Sequence, residues 1–258
     1  MSKKIIIGNW KMNPLTLKEA EKLFSSVVKG ISRIKKTARR TEVVICPPFL
    51  YLENLKKLSR KIFFGAQNAF WGDVGAFTGE ISGEMLYEMG ARYVILGHSE
   101  RRALGESNGD VNKKIKASLA AGLRPILCVG ESSRDENHGY FNLVKMQLEE
   151  CLAGIQKSSV SKIIIAYEPI WAISSTPNRK DATADDSREM SIFIRKILSD
   201  KFGKDASRIR IIYGGSVNEK DAKDFLEDGG VDGLLASRSS LDAKKFLEIV
   251  KICEALDK

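Results

Sequence analysis

The sequence predicts an α/β fold, specifically a single (β/α)8 barrel. Short apolar runs rich in β-branched residues alternate with longer amphipathic stretches along the whole chain. The short runs are apolar at successive positions, as parallel strands covered by helices on both faces require. Eight such units within 258 residues match the length of a closed barrel.

Each element of this barrel has a candidate segment. The strand candidates are Ile5–Ile7, Val43–Cys46, Ile62–Phe64, Tyr93–Leu96, Pro125–Val129, Ile163–Ala166, Ile209–Tyr213 and Gly233–Ala236. The helix candidates include Leu17–Ile31, Val111–Ala121, Met190–Phe202, Asp221–Glu227 and Ala243–Leu256. Asn218 and Asp242 stand just before two helix-patterned segments and are suitable N-caps.

The main structural alternative is an open doubly wound sheet. It is disfavoured because no glycine-rich dinucleotide fingerprint follows the first strand. No linker or low-complexity segment divides the chain, so we expect one domain over residues 1–258.

The net charge of +9 raises the question of a nucleic-acid partner. The densest basic runs, 33–40 and 56–61, both precede strands and would lie opposite the carboxyl ends of the barrel strands. They lack interleaved aromatic residues. We therefore expect a solvated basic face and no nucleic-acid binding.

Other bulk features suggest a cytoplasmic protein that does not enter a membrane. The N-terminus lacks the long apolar run of a signal peptide, and no apolar stretch approaches the roughly 20 residues that span a bilayer. Cys46 and Cys128 lie in strand-like runs without disulfide or metal spacing, so we expect reduced, buried thiols and no metal site.

Polar residues stand directly after several strand candidates, where a barrel builds its active site. They are Asn9 and Lys11 after the first strand, His98 after the fourth, Glu168 after the sixth, Gly214–Ser216 after the seventh and Ser237-Arg238 after the eighth. A cation, a switchable hydrogen-bond donor, a carboxylate and a glycine-rich anion cradle thus meet on one rim. This set suits proton transfer beside a carbonyl on a phosphorylated small molecule.

Eight segments resemble those of triosephosphate isomerases and occur in that family's order. They are Gly8–Asn13 (GNWKMN), Gly65–Asn68 (GAQN), Gly75–Glu80 (GAFTGE), Ile95–Arg102 (ILGHSERR), Leu127–Glu131 (LCVGE), Ala166–Ile173 (AYEPIWAI), Tyr213–Asn218 (YGGSVN) and Val231–Leu235 (VDGLL). The resemblance implies a TIM barrel that interconverts dihydroxyacetone phosphate and D-glyceraldehyde 3-phosphate without a cofactor, in glycolysis and gluconeogenesis.

The resemblance also implies catalytic roles. Glu168 would move the proton between adjacent carbons. His98 would act as a neutral imidazole, an arrangement for which this family is itself the standard example. Lys11 would neutralise developing charge, with Asn9 as a nearby donor and Glu100 as a close supporting carboxylate.

Phosphate binding and dimerisation are implied in the same way. Ser216, with Gly215, Ser237, Arg238 and Ser174, would hold the phosphate, using backbone amides at a helix N-terminus. A homodimer would form through the loop 71–80, in which Thr78 lies, reaching into the partner to support Asn13 and Lys11.

The chain departs from the family pattern on the phosphate side. The lid segment 174–181 contains no glycine and is about three residues longer than the usual version, although Trp171 is kept as a candidate hinge residue. Ser237-Arg238 stands where the family carries two glycines. We hypothesise that Arg179 or Arg238 supplies a guanidinium–phosphate contact in compensation.

Two other functions stay open at the sequence level. One is an isomerase of the same chemistry with a shifted substrate, since only phosphate and lid contacts are altered. The other is a catalytically silent barrel that serves as a binding or scaffold protein. The presence of Asn9, Lys11, His98 and Glu168 argues against silence.

Overall fold

The computed structural model describes residues 3–34, 41–173 and 180–256. Within these residues, eight parallel strands pair in chain order, and the last pairs with the first to close a barrel. The strands are β1 (Ile5–Asn9), β2 (Glu42–Cys46), β3 (Phe63–Ala66), β4 (Ala91–Leu96), β5 (Arg124–Val129), β6 (Ile164–Tyr167), β7 (Arg210–Tyr213) and β8 (Gly233–Ala236). The predicted (β/α)8 fold is confirmed.

Helices of the described part surround this barrel. They are α1 (Leu17–Ile34), α2 (Leu52–Leu58), α3 (Gly83–Glu88), α4 (Ser99–Ala103), α5 (Asn108–Ala120), α6 (Gly139–Cys151), α7 (Ala184–Phe202), α8 (Ala222–Glu227) and α9 (Ala243–Leu256). Short 3₁₀ helices follow some of the strands, including Ile170–Ala172 after β6 and Arg238–Leu241 after β8.

The core has two layers, which explains why the strands are apolar at successive positions. Inside the barrel, residues such as Ile5, Ile7 and Val44 form one buried cluster. Their sequence neighbours point outward, and Ile6 and Val43 pack with the helices in a second cluster. Side chains alternate across a strand, so a barrel enclosed by helices buries both sets.

Most predicted elements agree with the structure to within a few residues, and both predicted N-cap side chains accept a backbone N–H two residues on. Asp242 Oδ1 accepts the backbone N–H of Lys244 at 2.8 Å, as an N-cap does. Asn218 Oδ1 likewise accepts the backbone N–H of Lys220 at 2.8 Å, and Asn218 O accepts the N–H of Ala222 at 3.0 Å. The turn that Asn218 caps precedes α8, which begins at Ala222.

The cysteines of the described part are buried and form no disulfide with one another. Burial raises the pKa of the Cys46 thiol. Of the two basic runs, 56–61 lies at the end of α2 before β3, and positions 35–40 of the other lie outside the described residues. No helix in the described ranges has the length and apolar character needed to cross a bilayer.

Candidate active site

His98 is held as a neutral imidazole at the carboxyl end of β4. It occupies the N-cap of α4, where its Nδ1 accepts the backbone N–H of Glu100 at 3.2 Å. A nitrogen that accepts a hydrogen bond carries no proton, so this bond assigns the remaining ring proton to Nε2. His98 is 5% exposed, and the protonated Nε2 lies beside Glu168.

Glu168 follows β6 and is buried, with 2% of its surface exposed. Its Oε1 lies 3.1 Å from His98 Nε2, and its Oε2 accepts the backbone N–H of Ser99 at 3.3 Å. The approach of His98 is close but not aligned as a hydrogen bond, which leaves Oε1 without a donor among the described residues. A carboxylate oxygen without a donor is available to accept a proton from a ligand.

The backbone behind Glu168 is set by close contact with the end of β5. Glu168 N–H donates to Val129 O at 2.8 Å. A Cβ at Gly130 would lie 1.9 Å from Glu168 O, so only glycine allows this approach. The Cys128 thiol is fully buried below the site, and burial, followed by the charge of Glu168, raises its pKa.

Lys11 is presented by a strained turn after β1. Its φ of 51° is left-handed, a conformation that costs a non-glycine residue energy and occurs often at functional sites. The turn is held because Lys11 N–H donates to Asn9 Oδ1 at 3.0 Å and Lys11 O accepts from Gln67 Nε2 at 2.8 Å. Lys11 Nζ lies 2.5 Å from Glu100 Oε1.

These side chains border a cavity of about 650 Å³ at the carboxyl ends of the strands. The predicted site residues that line it are Lys11, His98, Glu168, Gly215, Ser216, Ser237 and Arg238. Asn9, Asn13 and Glu100 line an adjoining space of about 200 Å³ that Lys11 and Arg238 share. The cavity therefore joins a carboxylate, an imidazole, an ammonium group and a rim of glycine, serine and arginine residues.

Comparison with known proteins identifies the family. A family model described as triosephosphate isomerase matches residues 4–253. The triosephosphate isomerase of Dehalococcoides mccartyi is 46% identical over 252 residues, covering 96% of this chain and 96% of that protein. The chain belongs to the triosephosphate isomerase family.

Further relatives agree over nearly the whole length. The triosephosphate isomerase of Aquifex aeolicus is 42% identical over 253 residues, which cover 96% of this chain and 98% of the relative. A crystal structure of triosephosphate isomerase from Bartonella henselae matches with a TM-score of 0.83 at 36% identity, covering 97% of this chain and 98% of that chain. The triosephosphate isomerase fold and sequence thus extend across the barrel.

The segment that follows β6 is anchored through Glu131. Glu131 Oε1 accepts hydrogen bonds from Tyr167 Oη and Trp171 Nε1, both at 2.9 Å. Arg134 adds an ion pair to the same oxygen at 3.3 Å, and Lys180 N–H donates to Trp171 O at 3.3 Å. Trp171 is therefore held on both sides, by the Glu131 carboxylate and by the backbone of Lys180. Ser174 and Arg179, for which phosphate contacts were predicted, lie outside the described residues.

The loop after β8 forms without the two glycines that the triosephosphate isomerase pattern carries. Ser237 has a negative φ of −101°, so its backbone does not need glycine. Ser239 Oγ donates to Val217 O at 2.8 Å and ties this loop to the loop after β7. The β8 loop therefore lies against the exit of β7 in a chain that carries Ser237 and Arg238.

Sequence reasoning missed several residues that support this triosephosphate isomerase site. Glu131, Arg134, Gln67 and Arg102 were not singled out, although three of them stand inside motifs that were read for other residues. Each of them is a charged or amide side chain close to the end of a strand, and the sequence shows this. Their hydrogen-bond and ion-pair partners, however, lie on other strands and helices. Only the folded chain shows those partners.

Proposed function

We propose that this triosephosphate isomerase works through Glu168 and His98, with Lys11 as the neutralising cation. The observation that carries the proposal is the 3.1 Å contact between Glu168 Oε1 and His98 Nε2 beside a polar cavity. Its reaction interconverts dihydroxyacetone phosphate and D-glyceraldehyde 3-phosphate. The interconversion moves protons and exchanges no electrons with a cofactor.

Glu168 is the base. Its carboxylate takes a proton from the carbon beside the substrate carbonyl and returns it to the neighbouring carbon. Because the hydrogen bond that Oε2 accepts from Ser99 N–H is long, at 3.3 Å, the carboxylate can exchange it for substrate at small cost. Burial of Glu168 limits its hydration and so favours transfer of the proton from carbon.

His98 and Lys11 stabilise the enediolate that forms in between. The Nε2–H of His98 donates to the two substrate oxygens as negative charge moves from one to the other, and the imidazole remains neutral. Lys11 supplies the positive charge, and Glu100, 2.5 Å from its Nζ, keeps the ammonium in place. Donors already aimed at developing charge need no reorganisation during the reaction.

A coupled isomerase assay on both triose phosphates tests this proposal against its rivals. Turnover that requires the phosphorylated trioses supports it. Activity confined to another sugar phosphate would favour a shifted substrate. Absence of turnover on every sugar phosphate tried would favour a silent barrel.

The phosphate is held on the rim formed by Gly215, Ser216, Ser237 and Arg238, all of which line the cavity. The Ser216 hydroxyl and the nearby backbone amides are suited to donate to its oxygens. The chain carries Ser237-Arg238 where the family has two glycines. The exposed guanidinium of Arg238 compensates with a charge-assisted contact to the phosphate.

Substituting Arg238 by alanine is therefore expected to raise KM for glyceraldehyde 3-phosphate about tenfold with kcat little changed, as loss of one charge-assisted hydrogen bond would do. Steady-state kinetics measure both constants. Arg238→Lys is the matched variant and should recover part of the loss, because it keeps the charge but not the planar fork. An unaltered KM in the alanine variant would remove Arg238 from the phosphate site.

Homodimerisation is supported by apolar side chains exposed beside the active-site turn. Met12 is 93% and Val74 86% exposed, and Phe77 in the same loop as Val74 is 48% exposed. That loop includes Thr78, and it is anchored at its start because the ring of Trp71 stacks on Phe70 with centroids 4.3 Å apart. In the proposed dimer, each loop covers the turn that carries Asn13 and Lys11 in the partner.

Val74→Asp is expected to shift the protein to monomers and to lower kcat, because the partner's support of the Lys11 turn is lost. Sedimentation or light scattering measures the mass. Ile192→Asp is the matched control: Ile192 is 61% exposed but lies on α7, so this change should leave mass and kcat alone. Equal masses for the two variants would contradict the assignment of this loop to an interface.

The proposed site of action is the cytoplasm. The buried cysteines of the described part form no disulfide with one another, which suits a reducing compartment.

A further inference from the structure

Arg102 holds the turn that carries His98, although Arg102 does not line the active-site cavity of about 650 Å³. Its side chain Nε donates to Gly97 O at 2.7 Å, and its backbone N–H donates to His98 O at 3.0 Å. Gly97 has φ 68°, and its own N–H donates to Glu106 Oε2 at 3.1 Å. Both polar groups of this left-handed residue are thus held by side chains.

The same guanidinium joins β4 to neighbouring elements. Its Nη1 donates to Asn108 Oδ1 at 2.5 Å at the start of α5, and Nη2 reaches Cys128 O at 3.4 Å near the end of β5. A planar fork with several donors in fixed directions can hold these acceptors at once, and a lysine cannot.

Arg102 also lies behind the base. A small cavity of about 10 Å³ is lined by Arg102, Cys128, Ser99 and Glu168 together with Gly97 and Gly130. Arg102 therefore contacts the turn that carries His98 and lines a space that Glu168 also lines.

We propose that Arg102 is a positioning residue that sets the His98–Glu168 geometry through the Gly97–His98 turn. The inference rests on the roles proposed for His98 and Glu168. It predicts an effect on the chemical step and little effect on substrate binding, because the phosphate rim of Ser216, Ser237 and Arg238 borders the cavity and Arg102 does not.

Replacing Arg102 by methionine is expected to lower kcat about 100-fold, the typical effect of misplacing a catalytic group by about an ångström, with KM changed less than about threefold. Arg102→Lys keeps one donor for Gly97 O and should recover kcat to within about tenfold of the parent. Melting curves establish that each assayed variant is folded. If the methionine variant does not fold, Arg102→Gln replaces it, with an expected loss of about tenfold.

Arg92→Met is the matched control. Arg92 stands at the opposite end of β4, where its Nη1 donates to Tyr87 O at 3.0 Å and Ala91 O at 2.7 Å. It therefore also anchors backbone carbonyls, but far from His98. Its loss should affect thermal stability and leave kcat unchanged.

A double-mutant comparison separates positioning from general stabilisation. In a His98→Gln background, Arg102→Met should cost less than about threefold, because the residue it positions is already gone. In a Lys11→Met background it should keep its full cost. Equal costs in both backgrounds, or parental kcat in a folded Arg102→Met variant, would overturn the inference. Parental kcat in His98→Gln and Glu168→Gln would instead overturn the proposed mechanism.

Discussion

Glu168→Gln is expected to lower kcat by about 10³- to 10⁴-fold, at the upper end of what a general base contributes. The amide has nearly the size of the carboxylate but cannot accept the substrate proton. KM should change little, because the phosphate rim is untouched. The coupled assay measures both constants in both directions of the reaction.

The control for this variant is Glu254→Gln. Glu254 is also buried, 6% exposed, but it lies on α9 and accepts the backbone N–H of Thr41 at 2.9 Å, far from the cavity. This change should leave kcat intact, which shows that an amide in place of a buried carboxylate is not itself harmful. Turnover by Glu168→Gln within tenfold of the parent would mean that another group is the base.

Gly130→Ala is expected to destabilise the protein by about 3 kcal/mol, at the upper end of typical overpacking costs, and to reduce kcat sharply. The added Cβ would lie 1.9 Å from Glu168 O and 2.6 Å from Glu168 C, so the backbone of the base must move. Denaturant unfolding measures the first effect, and the isomerase assay of the folded fraction measures the second.

Gly109→Ala is the matched glycine control. Gly109 lies in α5, where the nearest atom to an added Cβ is Ser107 Oγ at 3.7 Å. Alanine there should be neutral or should stabilise by up to about 1 kcal/mol, because it reduces the freedom of the unfolded chain. If Gly130→Ala behaves like Gly109→Ala in both assays, the close approach of β5 to Glu168 does not constrain the site.

Much of the site could be predicted from the sequence, because active sites of such barrels lie at the carboxyl ends of the strands. A residue just after a buried strand must lie on the carboxyl rim, and this predicts that Lys11, His98 and Glu168 lie together. The structure brings these three to one cavity. The family resemblance then assigned a role to each of them.

The sequence was a poorer guide to the phosphate side. Serine and arginine at 237 and 238 predicted that side chains would compete for space there while the backbone amides survive, and Ser237 has a negative φ of −101°. Whether a backbone position needs glycine depends on the φ that its neighbours impose, and residue identity alone does not reveal that angle. The strain in this site lies instead at Lys11, with φ 51°, where the sequence carries no glycine signal.

The barrel, the family and the chemical groups at the active-site rim could all be predicted from the amino-acid sequence. They follow from apolar periodicity and from short motifs, both of which are local along the chain. The proton position on His98, the anchoring of Trp171 by Glu131 and the link from Arg102 to the His98 turn required the folded structure. Each of these depends on an angle or a distance between atoms that the folded barrel brings together.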